Sequence, residues 1–498
     1  MRVVVLTLTG AAVVAAVQLP VPDPEPVPPV SVDVPPASTV LVCPGGVRLP
    51  TEPEAGEDVA YDPQFDPAPG DSEGSVRMLA AAPSPGADPG EIVVAAMDGS
   101  ELDRLGPQAP VGSADSDGPA LVLRADATDD APAWLAGAIA VRTDEGDLRG
   151  LAAGACQVPA VQSWLVGGGT ELGSSARLVL QNPGATAASV TVRLWGPTGP
   201  VELAGAPEYL VPPGSERVVL LEGVAAEQRR VVVQVAASGG LVTAYLQDSW
   251  LRGLVAAGVD HVVAGAAPST RQVVPVSVTD SDVADVDVAQ VRLLAPGEEG
   301  GVVGVSLFGP DGPVELPGAT EVMLDAGVVF DVPLGGLPAG SYLAVLDSEV
   351  PVVAGAMSVR AATDEDAPDG LVDRAWAASV PIGASGPLAL PRASGHLLLT
   401  AVPDEESRPP GEVTVEVLGA DGTVLTELEL AVFSGLATEL DLAELDVEPG
   451  SADVAGLVVR SDDPRLAWAV VLTEDDVISV LTPVAPPPAQ PAVEVYLE

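Results

Sequence analysis

The sequence has no lysine and only two histidines, and aromatic residues make up 3% of its 498 residues. All 21 cationic side chains are arginines, against 71 aspartates and glutamates, and the formal net charge is −50. A chain of this charge repels DNA, RNA and anionic lipid, which excludes nucleic acid as a partner. We interpret the acidic residues mainly as a solvated surface, with metal binding or a cationic partner as the alternatives.

The scarcity of histidine limits the chemistry that the chain can perform. His261 and His396 lie in different parts of the sequence, and no serine or cysteine motif accompanies either of them. A Ser-His-Asp triad is therefore not predicted. HExxH, GxSxG and Walker motifs are also absent. We predict that the protein is not an enzyme, has no catalytic residues and needs no cofactor.

Only two cysteines occur, Cys43 and Cys156. In an exported chain, two cysteines most simply form one disulfide bond. The residues before Cys43 do not fit a lipid-attachment motif, because a leucine and a valine stand where a small residue is needed. We predict a Cys43–Cys156 bond that closes a loop of more than one hundred residues.

Long helical patterns are also missing. The sequence is 47% hydrophobic, and 53 glycines and 51 prolines interrupt short valine-rich runs. Such runs, closed by turn residues, favour β-strands over helices.

The first uncharged apolar run covers residues 3–19 and ends at Pro20. Its length lies between that of a signal-peptide core and that of a minimal membrane span, so a cleaved signal and a retained anchor both remain open. In either case we expect an extracellular protein associated with the cell envelope, secreted or membrane-anchored. Contact with the membrane is expected only through this segment. Residues 20–37 then form a proline-rich spacer.

One stretch of sequence is repeated. WGPTGPVELAGA at residues 195–206 matches FGPDGPVELPGA at residues 308–319 at a domain-sized spacing. A related strand and turn precede Asp421-Gly422, and a fainter copy precedes Asp98-Gly99. In each copy, alternating apolar residues lead into a glycine-containing turn, which is typical of a β-hairpin. Tandem duplication of one small fold explains the spacing.

A second pattern recurs towards the end of each repeat. Two apolar runs are separated by a short polar segment such as Asp347-Ser348-Glu349, and a short connector follows, such as Arg149-Gly150-Leu151. We predict an all-β fold of four tandem immunoglobulin- or fibronectin-III-like β-sandwiches that dock on their neighbours in a rod. The predicted boundaries are residues 38–150, 160–258, 270–368 and 385–482, followed by a proline-rich tail at 483–498.

Few side chains are candidates for binding. Asp280, Asp282, Asp285 and Asp287 could offer oxygens to calcium, although an exposed acidic linker is the preferred interpretation. Trp164 and Trp250 lie near sandwich junctions, where packing between domains and stacking on a ligand are the two alternatives.

Three segments carry a resemblance to a known family: the N-terminal run, the spacer, and residues 163–201, SWLVGGGTELGSSARLVLQNPGATAASVTVRLWGPTGPV. They resemble a family of uncharacterised actinobacterial exported proteins of about 500 residues. The resemblance covers most of the chain. It implies a cell-envelope protein whose gene lies beside a large envelope glycosyltransferase, and it transfers no catalytic residue.

Two functions are compatible with these observations. The first is a non-enzymatic envelope scaffold or binding protein, whose partner is an unidentified envelope protein or glycan. The second is a carboxylate-dependent enzyme acting on envelope polysaccharide, which would need two acidic residues facing each other across a cleft.

Overall fold

The computed structural model describes residues 30–32, 36–49, 67–127, 131–279, 288–316, 318–362, 371–404, 408–445, 454–485 and 493–495. The segment at residues 1–19, most of both proline-rich segments and the acidic residues 280–287 lie outside this range. Residues 37–488 belong to one compact unit.

Nearly all regular structure in the described residues is β, as the valine-rich, turn-punctuated sequence predicts. The strands of the compact unit fall into four groups, each of two facing sheets, which we call sandwiches 1 to 4. Sandwich 1 contains β2 (Thr39–Val42), β3 (Ser72–Ala81), β4 (Ile92–Ala96), β5 (Glu101–Leu105), β6 (Val111–Asp115), β7 (Leu121–Ala125), β8 (Trp134–Thr143) and β9 (Gly150–Ala155).

Sandwich 2 includes the single short helix of the described chain. It contains β10 (Gln162–Val166), β11 (Ser174–Asn182), β12 (Ala188–Gly196), β13 (Gly199–Val201), β14 (Glu208–Val211), β15 (Ser215–Leu220), α1 (Leu221–Val224), β16 (Val232–Ser238), β17 (Thr243–Arg252) and β18 (Val255–Val262).

Sandwiches 3 and 4 follow the same plan. Sandwich 3 contains β19 (Ser269–Val278), β20 (Gln290–Leu294), β21 (Gly301–Gly309), β22 (Gly312–Val314), β23 (Glu321–Leu324), β24 (Phe330–Pro333), β25 (Gly340–Ala361) and β26 (Val372–Ala378). Sandwich 4 contains β27 (Gly386–Ala389), β28 (Gly395–Ala401), β29 (Gly411–Gly419), β30 (Val424–Val432), β31 (Thr438–Asp441), β32 (Val454–Arg460), β33 (Leu466–Glu474) and β34 (Val477–Leu481).

The strand order is the same in all four sandwiches. In sandwich 1 one sheet runs β2-β7-β4-β5 and the other β6-β3-β8-β9, and every pair is antiparallel. The corresponding strands of the other sandwiches have the same neighbours. In sandwich 1 the first strand pairs with the sixth and the second with the seventh. In the immunoglobulin order the first strand pairs with the second, so the connectivity here differs from that order.

The repeated sequence motif forms the hairpin that the alternation predicts. Gly196 pairs with Gly199 between β12 and β13, and Gly309 pairs with Gly312 between β21 and β22. Gly199 and Gly312 have φ values of 116° and 106°, a region that favours glycine. The hairpin strands β4, β12, β21 and β29 occupy the third position of their sheets, which confirms that they are equivalent.

Three features differ from the sequence-based expectation. The polar segment at Asp347 is not a turn, because β25 runs through it for 22 residues and belongs to both sheets of sandwich 3. The segments expected to be connectors lead into β9, β18 and β26, which pair with the preceding strand, so the sheets extend past residues 150, 258 and 368.

The third difference concerns the arrangement of the sandwiches, which form a closed ring and not a rod. The last strands of the sandwiches, β9, β18, β26 and β34, pack against one another, each touching the next, and β34 returns to β9. Sandwiches 1 and 4 also share one hydrophobic cluster that includes Leu79, Ala136 and Leu390. We call the line along which these four strands meet the axis.

The chain ends pair separately. β1 (Val30–Val32) and β35 (Val493–Val495) form a two-stranded antiparallel sheet in the second unit of the chain, which comprises residues 1–36 and 489–498. Part of the predicted spacer is therefore a strand, and part of the C-terminal tail is its partner.

The predicted disulfide bond between Cys43 and Cys156 is present. Their Cα atoms are 3.9 Å apart, closer than the usual 4.4–6.8 Å range. Both residues are fully buried in the core of sandwich 1. A Cβ atom on Gly137 would come within 2.5 Å of the Cys156 sulfur, so glycine leaves the space for the bond.

We expect the double variant Cys43→Ala/Cys156→Ala to lose about 4 kcal/mol of unfolding free energy, because the bond no longer restricts a loop of 113 residues in the unfolded chain. Guanidinium unfolding followed by circular dichroism measures the loss. Reduction of the wild-type protein should lower its midpoint in the same way. An unchanged midpoint in both experiments would show that the bond does not stabilise sandwich 1.

Candidate functional site

The densest group of buried ionisable side chains lies at the axis. The last strands of the sandwiches are edge strands of their sheets, so one side of each backbone has no ladder partner, and here that side is buried. Buried N–H groups without a partner are costly. Asp260 of sandwich 2 and Asp373 of sandwich 3 supply acceptors for them.

Asp260 connects all four sandwiches. Its Oδ1 accepts hydrogen bonds from Ala153 N of sandwich 1 at 3.1 Å and from Ser479 Oγ of sandwich 4 at 2.9 Å. Its Oδ2 accepts one from Trp376 N of sandwich 3 at 2.6 Å. Burial raises the pKa of Asp260 well above its ordinary value, and these hydrogen bonds oppose the shift.

Asp373 makes a second link at the axis. Its Oδ2 accepts hydrogen bonds from Leu151 N at 3.1 Å and Ile478 N at 2.9 Å, which belong to sandwiches 1 and 4. Its Oδ1 is buried without a hydrogen-bond partner among the described residues. A Cβ atom on Gly150 would lie 2.4 Å from this Oδ1, and one on Gly258 would lie 2.9 Å away. Both glycines therefore leave room for the carboxylate.

Sandwiches 2 and 3 share a second buried polar contact. Arg292 forms a two-pronged ion pair with Asp331 at 2.8 and 3.1 Å, and its Nη1 donates to Gly168 O at 2.6 Å. The guanidinium carbon lies 4.7 Å from the ring centre of Trp376. The Trp376 indole in turn donates to Asp248 Oδ2 at 2.8 Å. The ion pair lies within sandwich 3, and the bonds to Gly168 O and Asp248 Oδ2 connect it and Trp376 to sandwich 2.

The two histidines have different environments. His261, beside Asp260 on β18, is fully buried edge-on to Tyr245, and burial lowers its pKa to about 4. His396 Nε2 lies 2.7 Å from Ser341 Oγ across sandwiches 3 and 4, and its Nδ1 lies 3.7 Å from Glu439 Oε1. Burial lowers the pKa of His396, while Glu439 opposes the shift.

The arrangement at His396 was not predicted, because its serine is 55 residues away in the sequence and carries no motif. It has the order of groups found in a Ser-His-acid triad. However, Ser341 is only 4% exposed, and its hydroxyl also bonds the Ser277 hydroxyl at 2.8 Å. We interpret the group as a polar link between sandwiches 3 and 4.

Trp164 and Trp250 both have neighbours from sandwich 3. Trp164 and Trp195 contact each other with ring centres 5.3 Å apart, in a cluster with Leu294, Val329 and Val353 of sandwich 3. Trp164 is 4% exposed, so little ring surface is left for a ligand. Trp250 lies beside the guanidinium group of Arg374, whose central carbon is 3.4 Å from the ring centre.

Two clefts occur in sandwiches 2 and 3. One, of about 570 Å³, is lined by Trp164 and Trp195 and by the charged residues Arg193, Glu298 and Glu299. Its two glutamates are neighbours in the sequence, in the loop after β20. The second, of about 1120 Å³, is bordered by Thr279 and Val288 on either side of undescribed residues, so no site is assigned to it.

The described residues contain no group of three or more His, Cys, Asp or Glu side chains that could hold a metal ion. The calcium candidates Asp280, Asp282, Asp285 and Asp287 lie outside those residues. Over the same part of the chain, no helix is long and apolar enough to cross a membrane.

The compact unit is a closed ring of four β-sandwiches in which buried charged side chains form hydrogen bonds from one sandwich to the next. The chain belongs to a family of unknown function, DUF5719, whose model matches residues 111–471. No curated protein matches the sequence. One solved structure, the Bacillus anthracis TIE protein, aligns over 83% of this chain and 68% of its own with 7% identity, but the TM-score of 0.09 carries no argument about the fold.

The environment of Asp373 predicts a pH dependence of stability. Burial raises its pKa from 3.8 to about 7, so between these values the folded protein binds a proton that the unfolded chain does not bind. Its contribution to stability therefore grows as the pH falls through 7, and it is complete below about pH 4. His261 acts in the opposite direction, because its pKa is lowered.

Comparison with Asp373→Asn isolates this contribution, because His261 is present in both proteins. As the pH falls from 8 to 5, we expect the unfolding free energy of the wild type to rise by about 2–3 kcal/mol relative to the variant. Urea unfolding at a series of pH values measures the difference. A difference that stays constant with pH would contradict the assignment.

Proposed function

We propose that the protein is a non-enzymatic, exported cell-envelope protein that serves as a rigid scaffold or binding platform for envelope glycan or its biosynthetic machinery. The observation that carries this proposal is the use of the buried charges. Asp260, Asp373 and the Arg292–Asp331 pair each join backbone or side chains of neighbouring sandwiches. Catalytic acids instead need a cleft that admits substrate.

The disulfide bond supports an extracytoplasmic location, because such bonds persist in oxidising compartments. The apolar run at residues 3–19 supports the same location. The resemblance to actinobacterial envelope proteins and the membership in a family of unknown function are consistent with it.

The alternative is an enzyme that uses carboxylates to hydrolyse envelope polysaccharide. Inverting enzymes hold their two carboxyl groups roughly 6.5–9.5 Å apart across the substrate, and retaining enzymes hold them closer. The acidic residues that line the described cleft, Glu298 and Glu299, are exposed neighbours in one loop, and exposed Arg193 lines the cleft with them. This arrangement favours binding over hydrolysis.

A binding protein leaves envelope polysaccharide intact, whereas a hydrolase cleaves it and releases new reducing ends. Purified full-length protein is incubated with polysaccharide isolated from actinobacterial envelopes, and both bound protein and new reducing ends are measured. We expect binding without new reducing ends, because the buried carboxylates at the axis accept hydrogen bonds from neighbouring sandwiches and the acidic residues of the cleft are adjacent in one loop. Glu298→Gln, Glu299→Gln and Ser341→Ala serve as matched variants. Release of reducing ends that one of these variants abolishes, at unchanged thermal stability, would establish the enzyme instead.

A further inference from the structure

One sheet of sandwich 4 ends in a long edge strand. β30 covers nine residues and pairs with β29 on one side, and no strand of the described residues pairs with its other side. The corresponding edge strands of sandwiches 2 and 3 have three and four residues and include Pro200 and Pro313. Proteins shorten edge strands or place proline in them to keep other chains from pairing there. β30 has neither protection.

The two faces of β30 differ in chemistry. Glu427 and Glu429 lie on the face that points away from the core, and both are exposed. Leu428 and Leu430 lie on the other face, and they are only partly buried against the core of sandwich 4. Leu440 of β31, the strand that follows, is also partly buried there. We call β30 together with these three leucines and two glutamates the β30 edge.

The outer face beside the β30 edge is acidic. On the neighbouring strand β29, Glu416 stands opposite Glu427, and Glu412 stands opposite Ala431. Arg460 of β32 is already paired with Glu416 at 2.8 Å. Within the described part of the chain, Glu412, Glu427 and Glu429 form no ion pair. Three negative charges next to an unpaired backbone therefore lack a countercharge.

A second copy of this chain does not suit the β30 edge. If two β30 strands paired antiparallel about Leu428, Glu427 of each copy would stand opposite Glu429 of the other. Like charges directly opposite each other destabilise a pair of strands. Each copy also carries a formal net charge of −50, which opposes association. The edge instead suits an occupant of positive charge.

We propose that the β30 edge binds an extended segment of a partner protein that alternates apolar and basic residues and adds a strand to this sheet. Main-chain hydrogen bonds give affinity in strand addition, and alternate side chains give specificity. The apolar side chains of the segment cover Leu428, Leu430 and Leu440, and its basic side chains lie beside Glu427 and Glu429. The inference goes beyond the proposed function, because it names the chemistry of a protein partner for the platform.

The probe is a synthetic nine-residue peptide that alternates valine and arginine and carries fluorescein. Its fluorescence anisotropy is measured as purified full-length chain is added. A second peptide has the same composition with all its arginines together, so it has the same charge but cannot direct them to one face. We expect the alternating peptide to bind about ten-fold more tightly or better. Equal affinities would mean attraction by charge alone and would overturn the inference.

Glu427→Lys/Glu429→Lys should weaken binding of the alternating peptide by about ten-fold or more, because the arginines then meet like charges. Glu315→Lys/Glu321→Lys makes the same change in charge at exposed positions of the sandwich 3 edge and is the matched control. The control variant should bind the peptide as the wild type does. The same loss in both variants would contradict a site at the β30 edge.

Methylation of the peptide amides tests the backbone pairing without any change in the protein. The N–H groups of alternate residues in a strand point to opposite sides, so only one alternate set faces β30. Methylation of that set, either the valines or the arginines, should weaken binding by about ten-fold or more. Unchanged binding after methylation of each set in turn would exclude strand addition.

Sedimentation of the wild-type chain as a dimer that the peptide dissociates would assign the edge to a second copy, against the inference. The outcome can be separated from that of the proposed function. Failure of the peptide to bind would leave binding of envelope polysaccharide untouched. Chain located in the cytoplasm would overturn the proposed location and leave the peptide result standing.

Discussion

The hydrogen bonds that Asp260 and Asp373 accept at the axis are the interactions on which the arrangement of the four sandwiches depends. Each sandwich ends in an edge strand, and a buried edge strand leaves N–H groups that need acceptors. Asp260 of sandwich 2 accepts bonds from sandwiches 1, 3 and 4, and Asp373 of sandwich 3 accepts bonds from sandwiches 1 and 4. Closing the ring buries these edges and satisfies four N–H groups and one hydroxyl.

The ring changes what the repeated domains can do. In a rod, each sandwich touches only its neighbours and can open independently. Here sandwich 1 contacts sandwich 4 directly, and Arg142 of sandwich 1 reaches Glu474 of sandwich 4 at 3.3 Å. A partner that binds one sandwich therefore meets a platform in which the other three have fixed positions. This rigidity suits a scaffold, and it supports the proposed function more than any single cleft does.

The sequence predicts the local structure well, since alternating valines and glycine turns determine the hairpins at Gly199 and Gly312 from neighbours in the chain. The disulfide bond could be predicted because only one pairing of two cysteines exists. Ring closure could not, since it depends on contacts between strands that are hundreds of residues apart. Asp373 follows a segment whose sequence is that of an ordinary connector. Gly150 and Gly258, which leave room for its carboxylate, lie in other sandwiches, and nothing in their local sequence links them to Asp373.

Native-state hydrogen exchange of the axis amides tests the central claim most directly. If the carboxylates make the four sandwiches one cooperative unit, the amides of Ala153, Trp376 and Ile478 should exchange with the same opening free energy. Asp260→Ala should then lower the opening free energy at all three amides. Ile478 is the decisive position, because Asp260 does not contact it. Exposed Asp117→Ala is the control and should change none of them. Opening free energies that differ between sandwiches in the wild type, or a loss confined to Ala153 and Trp376 in the variant, would contradict the account.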